Sequence, residues 1–203
     1  GMTQVLISAL MRGADLVLVR NFQTLQHCLA ALVAAGLRAL ESTDISAISL
    51  RGLAREVGVS ATAVYRHFPD KRALLGAMAQ AGLAMLGQLQ QQAAQEGGDK
   101  AFSATGRAYV RFALANPSLF RLVFTHCELR GDGLPEGNLA ADMLLGSAAK
   151  ITGGDKAEAR RFALQAWALV HGLAMLMLDG QLPADEALID QVIDGRSMWG
   201  KPS

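Results

Sequence analysis

Apolar residues recur at helical spacing through most of the chain, and the gaps between these runs hold glycine, proline, aspartate or serine. Residues of those types end or cap helices. The stretch from Leu50 to Leu75 shows the pattern best. Leu50, Leu53, Ala54 and Val57 share one helix face, and Arg51, Arg55 and Glu56 point away from it. Gly58 stands where a helix C-terminus takes a left-handed residue without a Cβ penalty. Val59 can plug the junction, and Ser60 is an N-cap for the next helix. There Val64 and Phe68 face inward, which leaves Thr62, Tyr65, Arg66 and His67 largely outside. Pro69 stops that helix and Asp70 can cap the following one. Two short amphipathic helices joined by a Gly-Val-Ser turn predict a helix-turn-helix, with the second helix suited to a DNA groove.

The same reading carries along the rest of the chain. A first helix is expected over roughly 24–42, and one begun at Lys71 runs to about 95, with Leu75, Met78, Gly82 and Leu86 as its apolar stripe. Glu96-Gly97-Gly98 breaks it, and Asp99 is the expected cap of a helix over about 100–116. Pro117 opens a short helix to 126, and Gly131-Asp132-Gly133-Leu134-Pro135 is a loop by composition. A helix over about 136–152 ends at Gly153-Gly154. Asp155 caps a long one to about 179, Gly180 ends it, and a last helix spans about 185–194 before a loose tail. Residues 2–22 form an apolar arm in which Thr3–Met11 can be a short helix and Leu16–Val19 either extended or helical. Packing on the body or on a partner subunit suits this arm better than contact with DNA. No strand pair or internal repeat interrupts the pattern, so the expected class is all-α.

Composition agrees: 51% of residues are hydrophobic, only 5% aromatic, and β-branched runs are sparse. A net charge of +1 does not mark the whole chain as a nucleic-acid binder. Its distribution does more. Residues 50–76 hold five Lys/Arg against Glu56 and Asp70, a net of +3, so the remainder carries −2. Lys71 and Arg72 occupy a helix's first turn, where the macrodipole disfavours cations. Free amides plus a lysine nevertheless make a phosphate clamp. Cys28 and Cys127 are the only cysteines, and neither has a metal-ligand or CxxC spacing. They read as buried, reduced thiols of a cytoplasmic protein. No run reaches the roughly 18–20 apolar residues of a membrane span. The segment Val5–Val19 lacks the basic start of a signal peptide. Gly1 ahead of Met2 reads as a residue left by tag removal.

At residues 53–75 the order LAxxxGVSxxxVYxHFxxKxxLL is similar to the signature of the TetR family of transcriptional regulators. Leu53, Ala54, Gly58, Val59, Ser60, Val64, Tyr65, His67, Phe68, Lys71, Leu74 and Leu75 carry the resemblance. One departure is Asp44, where many members have glycine; aspartate tolerates left-handed geometry, so the turn is expected to survive. The second half resembles a C-terminal subclass named for its Trp-His-Gly motif. That likeness lies in Tyr109-Val110-Arg111-Phe112-Ala113, Asn116-Pro117, Phe120-Arg121-Leu122, Phe124, and Trp167 with His171-Gly172-Leu173-Ala174.

The resemblance implies a three-helix helix-turn-helix DNA-binding domain over residues 24–72, behind a short arm (1–23). A helical-bundle domain for effector binding and dimerisation follows over 73–199. Arg51, Ser60, Ala61, Thr62, Ala63, Tyr65, Arg66, His67 and Lys71 are the expected DNA contacts, with Tyr65, His67, Lys71 and Arg51 mainly on phosphate. Arg66 can reach guanine bidentately or rest on phosphate. Ala61 and Ala63 suit thymine methyls or DNA shape. An apolar effector cavity is expected among Phe102, Tyr109, Phe112, Phe120, Phe124 and Trp167, with Tyr109, Gln165 and His171 as its polar groups. His171 can equally be a satisfied core residue. The helix 157–177 and the last helix are candidates for a two-fold interface or for the protomer core. The implied partners are a double-stranded, palindromic operator, a small-molecule effector and a second copy of the chain, with no cofactor, metal or membrane. In the implied mechanism the effector tilts the helix from Lys71 and spoils the spacing of the two reading helices. An enzyme would need a convergent catalytic constellation, and none recurs here. A protein-interaction module without DNA affinity would not need Tyr65, His67 and Lys71, all of which are present.

Overall fold

A computed structural model describes residues 16–126 and 138–193, with side chains from His27 to Thr125 and from Asn138 onward. The expectations for residues 2–15, Cys127, the loop at 131–135 and the tail after Gly195 lie outside the described residues. Among the described residues all regular structure is helical: α1 (Leu16–Leu40), α2 (Leu50–Glu56), α3 (Ala61–Tyr65), α4 (Lys71–Gly97), α5 (Ala101–Ala115), α6 (Pro117–His126), α7 (Leu139–Ile151), α8 (Lys156–Leu178) and α9 (Glu186–Ile193). Short 3-10 turns precede α2 (Ile45–Ala47) and α5 (Gly98–Lys100).

Local chemistry accounts for the boundaries. Ser49, Ser60, Asp70, Asn138 and Asp155 are extended, and each side chain accepts the backbone N–H three residues on. This satisfies one amide that the first helical turn leaves free. At the end of α2, Gly58 takes φ +73°. Its N–H reaches Arg55 O and the Val59 N–H reaches Ala54 O, the paired bonds of a Schellman motif. Gly180 ends α8 in the same way.

Two expectations fail locally. Asp44 is extended (φ −72°, ψ 152°) rather than left-handed, because its carboxylate accepts from Ser46 N–H and caps the 3-10 turn. The Ser46 backbone and hydroxyl, and then Lys71, hold that carboxyl below its usual range. Asp99 does not cap α5. The chain passes from α4 through a 3-10 turn and Lys100 is not extended, so no N-cap geometry forms there.

The main apolar core runs from end to end, and a smaller cluster around Ala148, Ala159 and Ala163 joins α7 to α8. α1, α2 and α3 close around Leu32, Ala35, Leu53, Val64 and Phe68, and Leu74, Leu75 and Met78 of α4 complete that cluster. Farther along, α4 packs lengthwise on α5 and crosses α6 and α7, while α8 lies on α5 and α7 and α9 on α5. The predicted stripe of α4 is buried as expected, Gly82 included. The boundary drawn at residue 72 falls inside this continuous helix. α6 also touches α1, so the two halves meet away from α4 as well.

By length and composition α8 passes the test for a membrane-spanning helix, contrary to the reading from runs of apolar residues. Its buried face, Ala159, Ala163, Ala166, Leu173, Ala174 and Met177, belongs to the bundle. The opposite face carries the exposed Leu164 and Leu176.

Glycine governs two close crossings. A Cβ on Gly82 would stand 2.8 Å from Val123 Cγ2 and 2.9 Å from Leu119 Cδ1, so α4 and α6 meet only because none is there. A Cβ on Gly36 would meet the mobile end of Met78 instead. Gly82→Ala is therefore expected to lower unfolding free energy by about 1–3 kcal/mol, as overpacking does. Gly36→Ala should cost less, and equilibrium urea unfolding of both variants measures the difference.

Candidate nucleic-acid interface and ligand cavity

The inward residues of α2 and α3 are Leu50, Leu53, Ala54 and Val64, and Phe68 just past α3 joins them. Their burial leaves Thr62, Ala63, Tyr65, Arg66 and His67 on one exposed surface, beside exposed Ser60 and half-buried Ala61. Tyr65 is 41% exposed, although an aromatic ring of that size normally finds cover in the fold. Arg51 and Arg55 project from α2 beside this surface. The Ser60 hydroxyl accepts Ala63 N–H at 3.2 Å and so orients the first turn of α3. Glu56 is held by Arg38 at 3.1 Å, at the edge of the patch.

Lys71 has a partner within the fold. Its Nζ donates to Ser46 O at 2.8 Å, tying the start of α4 to the 3-10 turn before α2. The cation in the first turn thus has local compensation: the Ser46 carbonyl, the nearby Asp44 carboxylate and the Asp70 cap. An ammonium carries three donors, so two remain for an external anion.

A partly open cavity of about 90 Å³ lies in the second half, bounded by α4, α5, α6, α7, α8 and α9. Its walls include Leu83, Leu86 and Gln90 of α4, Phe102, Ser103, Thr105, Gly106 and Tyr109 of α5, and Phe124 of α6. Asn138, Met143, Leu144 and Ser147 close it on the α7 side, Ala166, Trp167 and Val170 on the α8 side, and Val192 and Ile193 at α9. Behind the wall Trp167 Nε1–H donates to the Tyr109 hydroxyl at 3.2 Å, and that hydroxyl lies 2.9 Å from His171 Nδ1. Burial pushes the Tyr109 hydroxyl well above its ordinary range, with the Trp167 bond opposing, and burial lowers His171. Both groups are therefore neutral near pH 7. The Tyr109 hydroxyl and His171 Nδ1 thus share a hydrogen bond whose donor is set by the imidazole tautomer. Phe120 stacks on His171 at 5.5 Å and Phe124 meets it edge-on at 4.8 Å.

Two family profiles match the chain. Residues 32–78 match the bacterial regulatory proteins of the tetR family, and residues 102–195 match the tetracyclin repressor-like C-terminal domain. The chain belongs to the TetR family. Among solved structures, a protein of unknown function from Rhodococcus sp. RHA1 aligns with TM-score 0.67 at 32% identity, over 82% of this chain and 89% of that one. A candidate regulatory protein, SCO4313, shares the fold at TM-score 0.62 and 20% identity, over 84% and 95%. As a TetR-family member the chain is a DNA-binding transcriptional regulator.

In this TetR-family fold the residues expected around an effector divide. Phe102, Tyr109, Phe124 and Trp167 line the cavity. Phe112 and Phe120 are fully buried behind its wall, where they pack the α5–α6 junction. His171 belongs to the layer behind Tyr109. Gln165 is exposed and points away, since it shares the outward stripe of α8 with Arg161, Ala168 and Leu176. The polar groups that do line the cavity include Gln90, Ser103, Thr105, Asn138 and Ser147, all missed from sequence. One signal was present: one turn beyond Leu86, the apolar stripe of α4 reaches Gln90.

The depressed His171 proton affinity has a pH consequence. Unfolding restores an ordinary value of about 6.5, so below it the unfolded state binds more protons. Stability is expected to fall as pH drops from about 6.5 through the folded-state value, then level off. In His171→Gln, which keeps a hydrogen-bonding partner for Tyr109, that part of the slope should vanish from melting curves taken across pH.

Proposed function

We propose that the chain is a homodimeric, cytoplasmic repressor that binds a palindromic operator and is released when a small molecule fills the cavity. The observation carrying this reading is the exposed cluster of Thr62, Tyr65, Arg66 and His67 on α3, flanked by Arg51. It lies in the stretch with net charge +3 in an otherwise slightly acidic chain. Arg51, Lys71, Tyr65 and His67 hold phosphate, Arg66 reads a base edge, and Ala61 and Ala63 contribute methyl contacts or none. A single five-residue reading helix contacts few bases, and two such helices about 34 Å apart would double the site.

The outward stripe of α8 supports the dimer. Ala168 and Gly172 are small, and exposed Leu164 and Leu176 flank them, which suits close approach of a second copy about a two-fold axis. α9 fits the interface less well. Arg107 pairs with Asp190, Arg111 pairs with Glu186, and Ile189 is 1% exposed, so α9 is fastened to its own protomer.

The cavity supports the release step through its location. Leu83, Leu86 and Gln90 line it from the helix whose first turn holds Ser46 beside the reading head. A ligand that favours one disposition of α4 shifts the operator-binding population by its differential affinity for the two.

Selection of bound duplexes from random DNA, followed by titration against salt, tests the DNA half. A palindromic site should emerge. Arg51→Ala should weaken binding to all sequences alike and reduce the salt slope by about one. Lys71→Ala should do the same and also lower melting temperature, through loss of the Ser46 bond. An unchanged slope in both variants would count against the interface. Leu176→Arg is expected to give a monomer by analytical ultracentrifugation, with operator affinity lost alongside.

A further inference from the structure

We propose that the cavity takes an uncharged, largely aromatic or hydrocarbon molecule bearing a hydroxyl group, whose O–H donates to Gln90 Oε1. This assignment rests on the reading of the cavity as the effector site.

The chemistry of the wall points to that class. Among the described residues, no Asp, Glu, Lys, Arg or His lines the cavity. A carboxylate or ammonium would therefore lose its hydration without a counter-charge, and a lone buried charge is not tolerated. The polar groups present are not neutral in their hydrogen bonding either. Gln90 Nε2 donates to Thr105 O at 3.3 Å, which fixes the amide orientation and turns Oε1 away from that carbonyl. Oε1 is buried and, among the described residues, has no hydrogen-bond partner. The Ser103 hydroxyl already donates to Lys100 O at 3.0 Å, and the Thr105 hydroxyl to Phe102 O at 2.7 Å. Their protons are spent on the backbone and their lone pairs remain. The Tyr109 hydroxyl is engaged on its far side by Trp167 Nε1–H and His171 Nδ1.

The α5 and α4 walls thus present acceptors, with Gln90 Oε1 the one left unmatched. A buried acceptor without a donor is costly, so a guest that supplies an O–H gains more than one of equal shape that cannot. Apart from Asn138 and Ser147 the rest of the lining is apolar, and the rings of Phe102, Phe124 and Trp167 suit an aromatic or alkyl body.

Calorimetric titration of the full chain with para-propylphenol, para-propylanisole and para-propylbenzoate tests this. The three share a skeleton and differ in donor and charge. The phenol is expected to bind about tenfold more tightly than the anisole. The benzoate should give no measurable heat at neutral pH. In Gln90→Leu the gap between phenol and anisole should close while the anisole retains its affinity. The comparison on the unaltered chain needs no variant, so it stands even if Gln90→Leu does not fold. Benzoate binding as tightly as the phenol, an equal affinity for phenol and anisole, a gap that survives Gln90→Leu, or no binding of the phenol at millimolar concentration each overturns the assignment. Operator affinity measured alongside separates the two levels. A bound phenol that leaves DNA binding unchanged removes the regulatory reading and keeps the ligand class. A benzoate that binds and releases DNA does the reverse.

Discussion

Helix α4 belongs to both halves of the molecule, and its continuity is the constraint on which the other arrangements rest. About 40 Å long at 1.5 Å per residue, it begins under the reading head and ends as a cavity wall. Its first turn is anchored twice, by the Asp70 cap and by the Lys71 bond to Ser46 O. Leu74, Leu75 and Met78 then close the core of the DNA-binding half. One turn after Met78, Gly82 admits α6 at a distance no other residue would allow, and Leu86 and Gln90 face the ligand cavity. A rigid element with contacts of this kind at both ends has few ways to move at one end alone. The contact of α6 with α1 adds a second connection.

The second half keeps its polar groups in a definite order. Trp167, Tyr109 and His171 form a hydrogen-bonded chain, and Phe120 and Phe124 pack against the imidazole. That chain orients Tyr109 as part of the cavity wall. Ion pairs from Arg107 and Arg111 to Asp190 and Glu186 then hold α9 over α5, so that Val192 and Ile193 complete the cavity. These pairs are partly exposed and each is worth little in stability. Their geometry fixes where α9 rests, and the buried Ile189 supplies the apolar anchor.

Lys71 shows how a residue read correctly as unusual can be assigned an incomplete reason. A lysine in the first turn of a helix violates the dipole preference, and an external phosphate was one way to offset it. The fold supplies another: the Ser46 carbonyl, with Asp44 close by. Asp44, in turn, departs from the family's usual glycine without any left-handed strain, because its side chain caps the turn. The pair replaces a backbone solution with an electrostatic one.

What the chain's sequence determined by itself was local. Helix periodicity, the capping residues and Gly58 are decided within a few residues, because N-caps, Schellman motifs and amphipathic faces depend on near neighbours. The exposed face of α3 could be read for the same reason: burying Val64 and Phe68 leaves Thr62, Tyr65, Arg66 and His67 outside. The cavity was decided by tertiary structure. Phe112 and Phe120 cannot be told from Phe102 and Phe124 by composition or spacing, since which side of a wall a ring occupies depends on the crossing of six helices. Gln165 looked as polar and as central as Gln90, yet one lies on the outer stripe of α8 and the other at the end of the buried stripe of α4. Only the packing angle between those helices separates them, and no single segment encodes that angle.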